Sequence, residues 1–303
     1  MNNLAAVFLA VISGVSGIFG PSASREIVSP IWGVASSGRV VAAETAGKKT
    51  ETSPGIASAV EQALKQSQGK YYVYVKNLKS GETYSLNDHT LLPAGSLYKA
   101  WLAVETLDLI RQGKIEEDEV LSAKVADLNA WAGLSAEEAE LTEGVMTFTV
   151  REAVQRMIAV SHNYAAYLLT RKVGETSVRT MLRKHGLTES SYKRPPLVTA
   201  FDMGLFFEKV YDDEFFSGES ATELKDIFAA NELNLGLPKY LPKTVRVEHK
   251  TGELGRYKHD CGIVYSSGGN YVICAMSESG DPLGAQERIA RISKNVYDYF
   301  IAK

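Results

Sequence analysis

Cysteine is scarce in this chain of 303 residues, and an excess of charge of either sign is scarcer still. Two cysteines, Cys261 and Cys274, cannot build a disulfide scaffold, and no Cys-x-x-Cys or zinc-ligand spacing accompanies them. The five histidines show no ligand spacing either, so metal-assisted hydrolysis is not expected. Thirty-three Lys and Arg stand against 36 Asp and Glu, a formal charge of −3 with no basic run. A nucleic-acid partner therefore has no electrostatic footprint to bind to. There is no Gly-x-Ser-x-Gly elbow, which excludes a serine nucleophile carried on a strand–turn–helix elbow. Internal repeats and low-complexity tracts are also absent. What is present is burial capacity. At 45% hydrophobic residues, the chain can form one large domain or two modest ones with a substantial core.

The first residues stand apart. From Leu4 to Gly20 there is no charge, and Val7, Phe8, Leu9, Val11 and Ile12 make the run strongly apolar. It is longer than the roughly 7–15 residues of a signal-peptide core and marginal for the roughly 20 of a bilayer span. Small residues follow at Ser22-Ala23-Ser24 and again at Val41-Ala42-Ala43, either of which suits a signal peptidase. Export is the expectation, with a cleaved signal and a retained membrane anchor both open for residues 1–20. Residues 21–54 hold no sustained period and read as a tether. With three residues ahead of the apolar run, a signalling domain across a membrane is not expected.

The folded part is expected over 55–303. Ile56, Val60 and Leu64 recur at helical spacing. Tyr71–Lys76 and Thr83–Leu86 then read as two strands joined through Lys79-Ser80-Gly81. Leu97, Trp101, Val104, Leu107 and Ile110 share a helical face, and Thr149-Val150-Arg151-Glu152 is a capping box for another helix. Further helices are expected at 164–173, 177–185, 200–211 and 221–230. The period returns to two at Val245–Thr251, Gly262–Tyr265 and Tyr271–Met276, and a last helix carries Ile289, Ile292, Val296 and Tyr299 on one face. Strands at both ends with helices between predict an α+β domain. Its antiparallel sheet is completed by distant segments and flanked by helices, with an all-helical lobe inserted.

Three short motifs carry chemistry: Ser96-Leu97-Tyr98-Lys99, Ser161-His162-Asn163 and Lys250-Thr251-Gly252. Each spacing has a decoy in the chain, such as Ser67 and Lys70 astride Gly69, so context decides. Ser96 opens a periodic helix, at the positive end of its dipole, and Lys99 lies one turn on along the same face. A lysine in a partly desolvated cleft loses proton affinity and can activate a weak nucleophile. Ser161-His162-Asn163 falls between two helices, where Ser and Asn also suit an N-cap. Lys250-Thr251-Gly252 closes an alternating strand, and its glycine permits close approach of a ligand to the backbone.

Together and in this order, the motifs resemble the penicillin-recognising serine hydrolases, most closely the catalytic domain of class A β-lactamases. The likeness extends through Tyr164–Leu169 and through Glu253 and His259–Tyr265, and runs from about Ile56 to the C-terminus. It implies Ser96 as the nucleophile that takes the acyl group and Lys99 as its base or proton relay. It further implies that Ser161 passes the proton to the leaving nitrogen and that Asn163 binds the substrate amide. Lys250 and Thr251 would hold the substrate carboxylate beside Gly252, and the backbone amides of Ser96 and Glu253 would form the oxyanion hole. No cofactor is implied. The expected partner is a small β-lactam or a peptidoglycan-like peptide, and a monomer outside the cytoplasm is expected.

The pattern breaks in two places, the lesser being His162, which stands where the family has an acid between Ser161 and Asn163. The family's omega-loop glutamate, which activates the deacylating water, has no counterpart motif between Gly186 and Thr199. Glu189 is the one carboxylate there and reads as an exposed loop residue. Acylation of Ser96 with slow deacylation follows. The rival readings are a D-alanyl-D-alanine-type peptidase or esterase and a penicillin-binding receptor on the same fold. His162 receives no catalytic role, and Trp131, placed in a loop, reads as a packing residue rather than a cleft wall. Cys261 and Cys274 fall on adjacent hairpin strands. Two separately buried thiols are the expectation there, and a disulfide the alternative.

Overall fold

A computed structural model describes residues 52–303. The apolar run and most of the tether, residues 1–51, lie outside the described residues. Among those described, no helix is long and apolar enough to cross a membrane.

The first helix, α1 (Pro54–Leu64), is capped by Ser53 and buries Ile56, Val60 and Ala63. Two strands follow, β1 (Lys70–Asn77) and β2 (Thr83–Leu86); the other three strands of their sheet come from near the C-terminus. These are β7 (Val247–Leu254), β8 (Tyr257–Val264) and β9 (Tyr271–Glu278). The order is β2-β1-β9-β8-β7, antiparallel throughout. The central strands are buried on both faces, and alternation divides their side chains between two apolar clusters. Val73, Val75 and Ile273 pack against α1 and the terminal helix α9 (Pro282–Ile301). Tyr72, Tyr74, Val272 and Met276 face the inserted lobe.

The lobe is built around α2 (Tyr98–Arg111), which is buried on every side from Tyr98 to Leu107. Around it lie α4 (Val150–Ala159), α5 (Asn163–Val173), α6 (Glu175–Lys184), α7 (Ala200–Tyr211) and α8 (Glu219–Ala229). The capping box forms as its spacing predicts: Thr149 Oγ1 accepts from Glu152 N, and Glu152 accepts from Thr149 N.

The structure corrects several local expectations. The lobe is not wholly helical, since β4 (Val120–Lys124) pairs with β5 (Val145–Thr149), and β3 (Leu92–Pro93) pairs with β6 (Leu197–Val198). Trp131 sits in the last turn of α3 (Val125–Ala132), not in a loop. Its half-buried ring packs beside Tyr167 and lies under the Arg194 guanidinium, 3.8 Å from the ring centre. β7 does not stop at Thr251; it continues through Gly252 and Glu253 to Leu254. Cys261 and Cys274 are directly opposite in the β8–β9 register and are joined as a disulfide. Which residues face each other across two strands depends on the pairing register, which alternation alone does not determine.

Candidate active site

The first motif starts on a 3₁₀ turn, Gly95–Leu97, and continues directly into α2. Ser96 is buried on this turn, and Lys99, in the first turn of α2, is fully buried. The turn is pressed against β7. An added Cβ on Gly252 would lie 2.6 Å from the carbonyl oxygen of Ala94, and one on Gly95 would lie 2.6 Å from the backbone nitrogen of Glu253. Gly95 also has φ +51°, where a side chain is strained. Both glycines thus serve one purpose, allowing the backbone around Ser96 to meet the backbone around Glu253. His259 on β8 secures the same turn, with its Nε2 3.0 Å from the carbonyl of Pro93. Burial pushes the His259 imidazole down to about 4, so at neutral pH it acts there as a neutral donor.

The second motif supplies the opposite wall. Ser161 takes φ +56°, rare for a residue with a side chain, between α4 and α5. His162, rather than Ser161 or Asn163, is the N-cap, its Nδ1 accepting from Ala165 N at 3.2 Å. Burial, with Lys99 and Arg156 nearby, holds His162 down at about 4. This conformation turns both Ser161 oxygens inward. The Lys99 amine donates to Ser161 O at 2.6 Å, to Ser161 Oγ at 3.2 Å and to Asn163 Oδ1 at 2.6 Å.

The third motif arrives from β7. Lys250, as fully buried as Lys99, donates to the same Ser161 Oγ at 3.0 Å and to Thr251 O at 2.9 Å. One hydroxyl therefore receives both amines, and all three motifs share a single crevice. Thr251 is half-buried beside it, opposite Asp260 on β8. Glu253 pairs with Lys258 across the hairpin, its backbone nitrogen beside the Gly95 turn.

Two buried amines at one oxygen do not hold their protons normally. Desolvation first, then the like charge of Lys250, drive Lys99 well below the ordinary lysine range, while Glu140 opposes them. Desolvation brings Lys250 down to about 7, against the pull of Asp260. The site thus gathers two amines with a weakened hold on their protons at one hydroxyl. Asp260 itself is held by His249, Nδ1 to Oδ1 2.8 Å, and by Leu237 N.

Two carboxylates complete the picture. Glu189 is not the exposed residue its loop suggests; it is half-buried, with Oε1 2.8 Å from His89 Nδ1. Glu140 is the residue that motif reading misses. Its Oε1 accepts from Asn163 Nδ2 at 2.5 Å, and burial pushes its carboxyl upward. It lies in the unpatterned stretch 133–144, where only its neighbours in space distinguish it from Glu137, Glu138 and Glu143. A groove of about 1010 Å³ between α4 and α8 contains none of the motif residues.

A family model described as the beta-lactamase enzyme family matches residues 55–300. The chain belongs to that family. It is a serine hydrolase of β-lactamase type, as its three motifs imply. A curated relative from Bacteroides uniformis, a beta-lactamase, is 29% identical over 258 residues, covering 72% of this chain and 82% of its own length. Among solved structures, a point mutant of PBP-A in an acyl-enzyme complex with penicillin G superposes with a TM-score of 0.72 at 24% identity. That match covers 82% of this chain and 96% of the other. A beta-lactamase from Sphaerobacter thermophilus matches with a TM-score of 0.71 at 21% identity, covering 82% and 98%. These likenesses establish the fold.

Proposed function

We propose that this protein attacks β-lactam amides through an acyl-Ser96 intermediate. The observation that carries the reading is the pair of buried amines, Lys99 and Lys250, meeting at Ser161 Oγ beside the Ser96 turn. Neutral Lys99 takes the Ser96 proton as Oγ adds to the lactam carbonyl carbon. The negative charge that develops on the carbonyl oxygen is met by the backbone amides of Ser96 and Glu253. Such donors are typically worth about 3–4 kcal/mol of barrier each. As the C–N bond opens, the proton travels by way of Ser161 to the leaving nitrogen, leaving an ester on Ser96. Asn163 binds the substrate's amide side chain. Lys250, with Thr251 and Gly252, receives the substrate carboxylate, and that negative charge favours the ammonium form of Lys250.

Water must then hydrolyse the ester, and this second half is the slow one. A positioned general base contributes about 10²–10⁴ in rate. Glu189, the one carboxylate of the loop between Gly186 and Thr199, is engaged by His89. A peptidase or esterase acting on D-alanyl-D-alanine-type substrates is the second reading, supported by that same engagement. We place the protein outside the cytoplasm, a reading supported by the apolar run Leu4–Gly20 and by the bonded Cys261–Cys274 pair.

The experiment is an intact-mass time course after brief exposure to benzylpenicillin, with Ser96→Ala as control. A mass increase equal to the whole penicillin is expected in the unaltered protein, decaying over minutes or longer, and none in Ser96→Ala. No adduct, together with no turnover of a chromogenic cephalosporin, would overturn the reading. An adduct that never decays would favour the binding-protein reading over the hydrolase.

A further inference from the structure

We propose that Glu140 is a positioning residue of the acylating machinery: its carboxylate holds the Asn163 amide so that Oδ1 is turned to the Lys99 amine. The inference rests on the acyl-Ser96 reading above and extends it to a residue outside the three motifs.

Asn163 has an acceptor, Oδ1, and a donor group, Nδ2. Oδ1 takes a hydrogen bond from Lys99 Nζ at 2.6 Å, and Nδ2 gives one to Glu140 Oε1 at 2.5 Å. A rotation of the amide by half a turn would set its N–H against the amine hydrogens of Lys99 and its C=O against a carboxylate. The carboxylate of Glu140 penalises the second arrangement, because an ionised carboxylate can only accept. One hydrogen of Nδ2 then remains for the carbonyl of a substrate amide, the role Asn163 takes in the acylation above. Glu140 therefore fixes the orientation of Asn163 toward its base and toward its substrate at once.

Its placement suits a positioning role. The residue is on the surface, yet its carboxyl turns inward, toward Asn163 on α5. The charged and titratable groups around this chain of contacts come from several elements. Lys250 on β7 and His162, just before α5, act on Lys99, while Tyr164 and Tyr167 on α5 act on Glu140. His162 is neutral near pH 7, and both tyrosines are raised above their ordinary value. Among these groups, Glu140 is the one whose charge favours the protonated form of Lys99.

Two substitutions separate geometry from charge. Glu140→Gln keeps an oxygen acceptor and removes the charge. Its acylation rate at the optimum should stay within a few-fold of the parent, while the acidic limb of the pH profile moves to lower pH because Lys99 loses its proton more readily. Glu140→Ala frees the amide, and acylation should fall on the order of 10²-fold, as small misplacements of reacting groups commonly produce. In a double-mutant cycle, adding Glu140→Ala to Asn163→Ala should cost nothing further, because the group being positioned is gone. Both variants are read by the rate of penicillin adduct formation across pH, with unfolding temperature as a check on the fold.

Equal rates and an unmoved acidic limb in both variants, with the parent acylating normally, would overturn the positioning role and leave the acyl-Ser96 reading standing. Additive losses in the cycle would overturn it too. A parent protein that forms no adduct would remove both.

Discussion

The two borders of the sheet follow opposite rules. On the face covered by α1 and α9, Ile56, Val60, Val73, Ile289, Ile292 and Val296 bring apolar surface to apolar surface. Beyond the β7 edge, two fully buried lysines share one hydroxyl, and a serine and a glycine hold positive φ. The first region lowers the free energy of folding, at about 25 cal/mol per Å² of apolar area removed from water. The second raises it, because desolvated like charges and left-handed backbone both cost energy. A structure that keeps such a region has a use for it, and here the use is amines with altered proton affinity.

This contrast can be broken experimentally. The largest effect should come from the cleft. Lys99→Ala, measured by stopped-flow or timed mass analysis, should slow acylation by about 10²–10⁴ with little loss of thermal stability. A fall in unfolding temperature parallel to the fall in rate would mean that Lys99 supports the fold instead. Next comes the apolar face. Ile289→Ala should cost about 2–5 kcal/mol in denaturant unfolding while leaving the acylation rate per folded molecule unchanged.

The smallest effect is told by its sign. Lys250→Met should raise the unfolding temperature by a few degrees while weakening penicillin capture. The folded protein holds the Lys250 proton only up to about 7, whereas the unfolded chain holds it to 10.5. The unfolded state thus binds more protons between those values, and stability climbs with pH across that window. The gain from Lys250→Met should be full below about pH 7 and shrink toward pH 10.5. A gain that grew with pH would show that the burial argument is wrong.

The two regions also differ in how far they can be read from sequence. Hydrophobic period locates the sheet and the long helices, and α7 and β2 match their expected limits because apolar alternation and capping residues coincide there. The β4–β5 ribbon escapes because Val120 and Val145 face solvent, so it buries too little to impress a period on its sequence. Helix α3 is missed for being eight residues long. In the site, the motif residues are legible because their chemistry is tied to local spacing. The Cys261–Cys274 pairing depends on register, the handedness of Ser161 on its setting between two helices, and the place of Glu140 on a loop folded back over α5. Those are properties of distant segments meeting, and no window of sequence contains them.

The left-handed backbone at Ser161 has one more effect. With Lys99 and Lys250 both donating to its oxygen, the hydroxyl has spent its lone pairs, and the one thing it has left to give is hydrogen. In the resting protein, a neutral side chain is thereby made into a one-way valve, primed to hand a proton outward to whatever basic atom first enters the crevice.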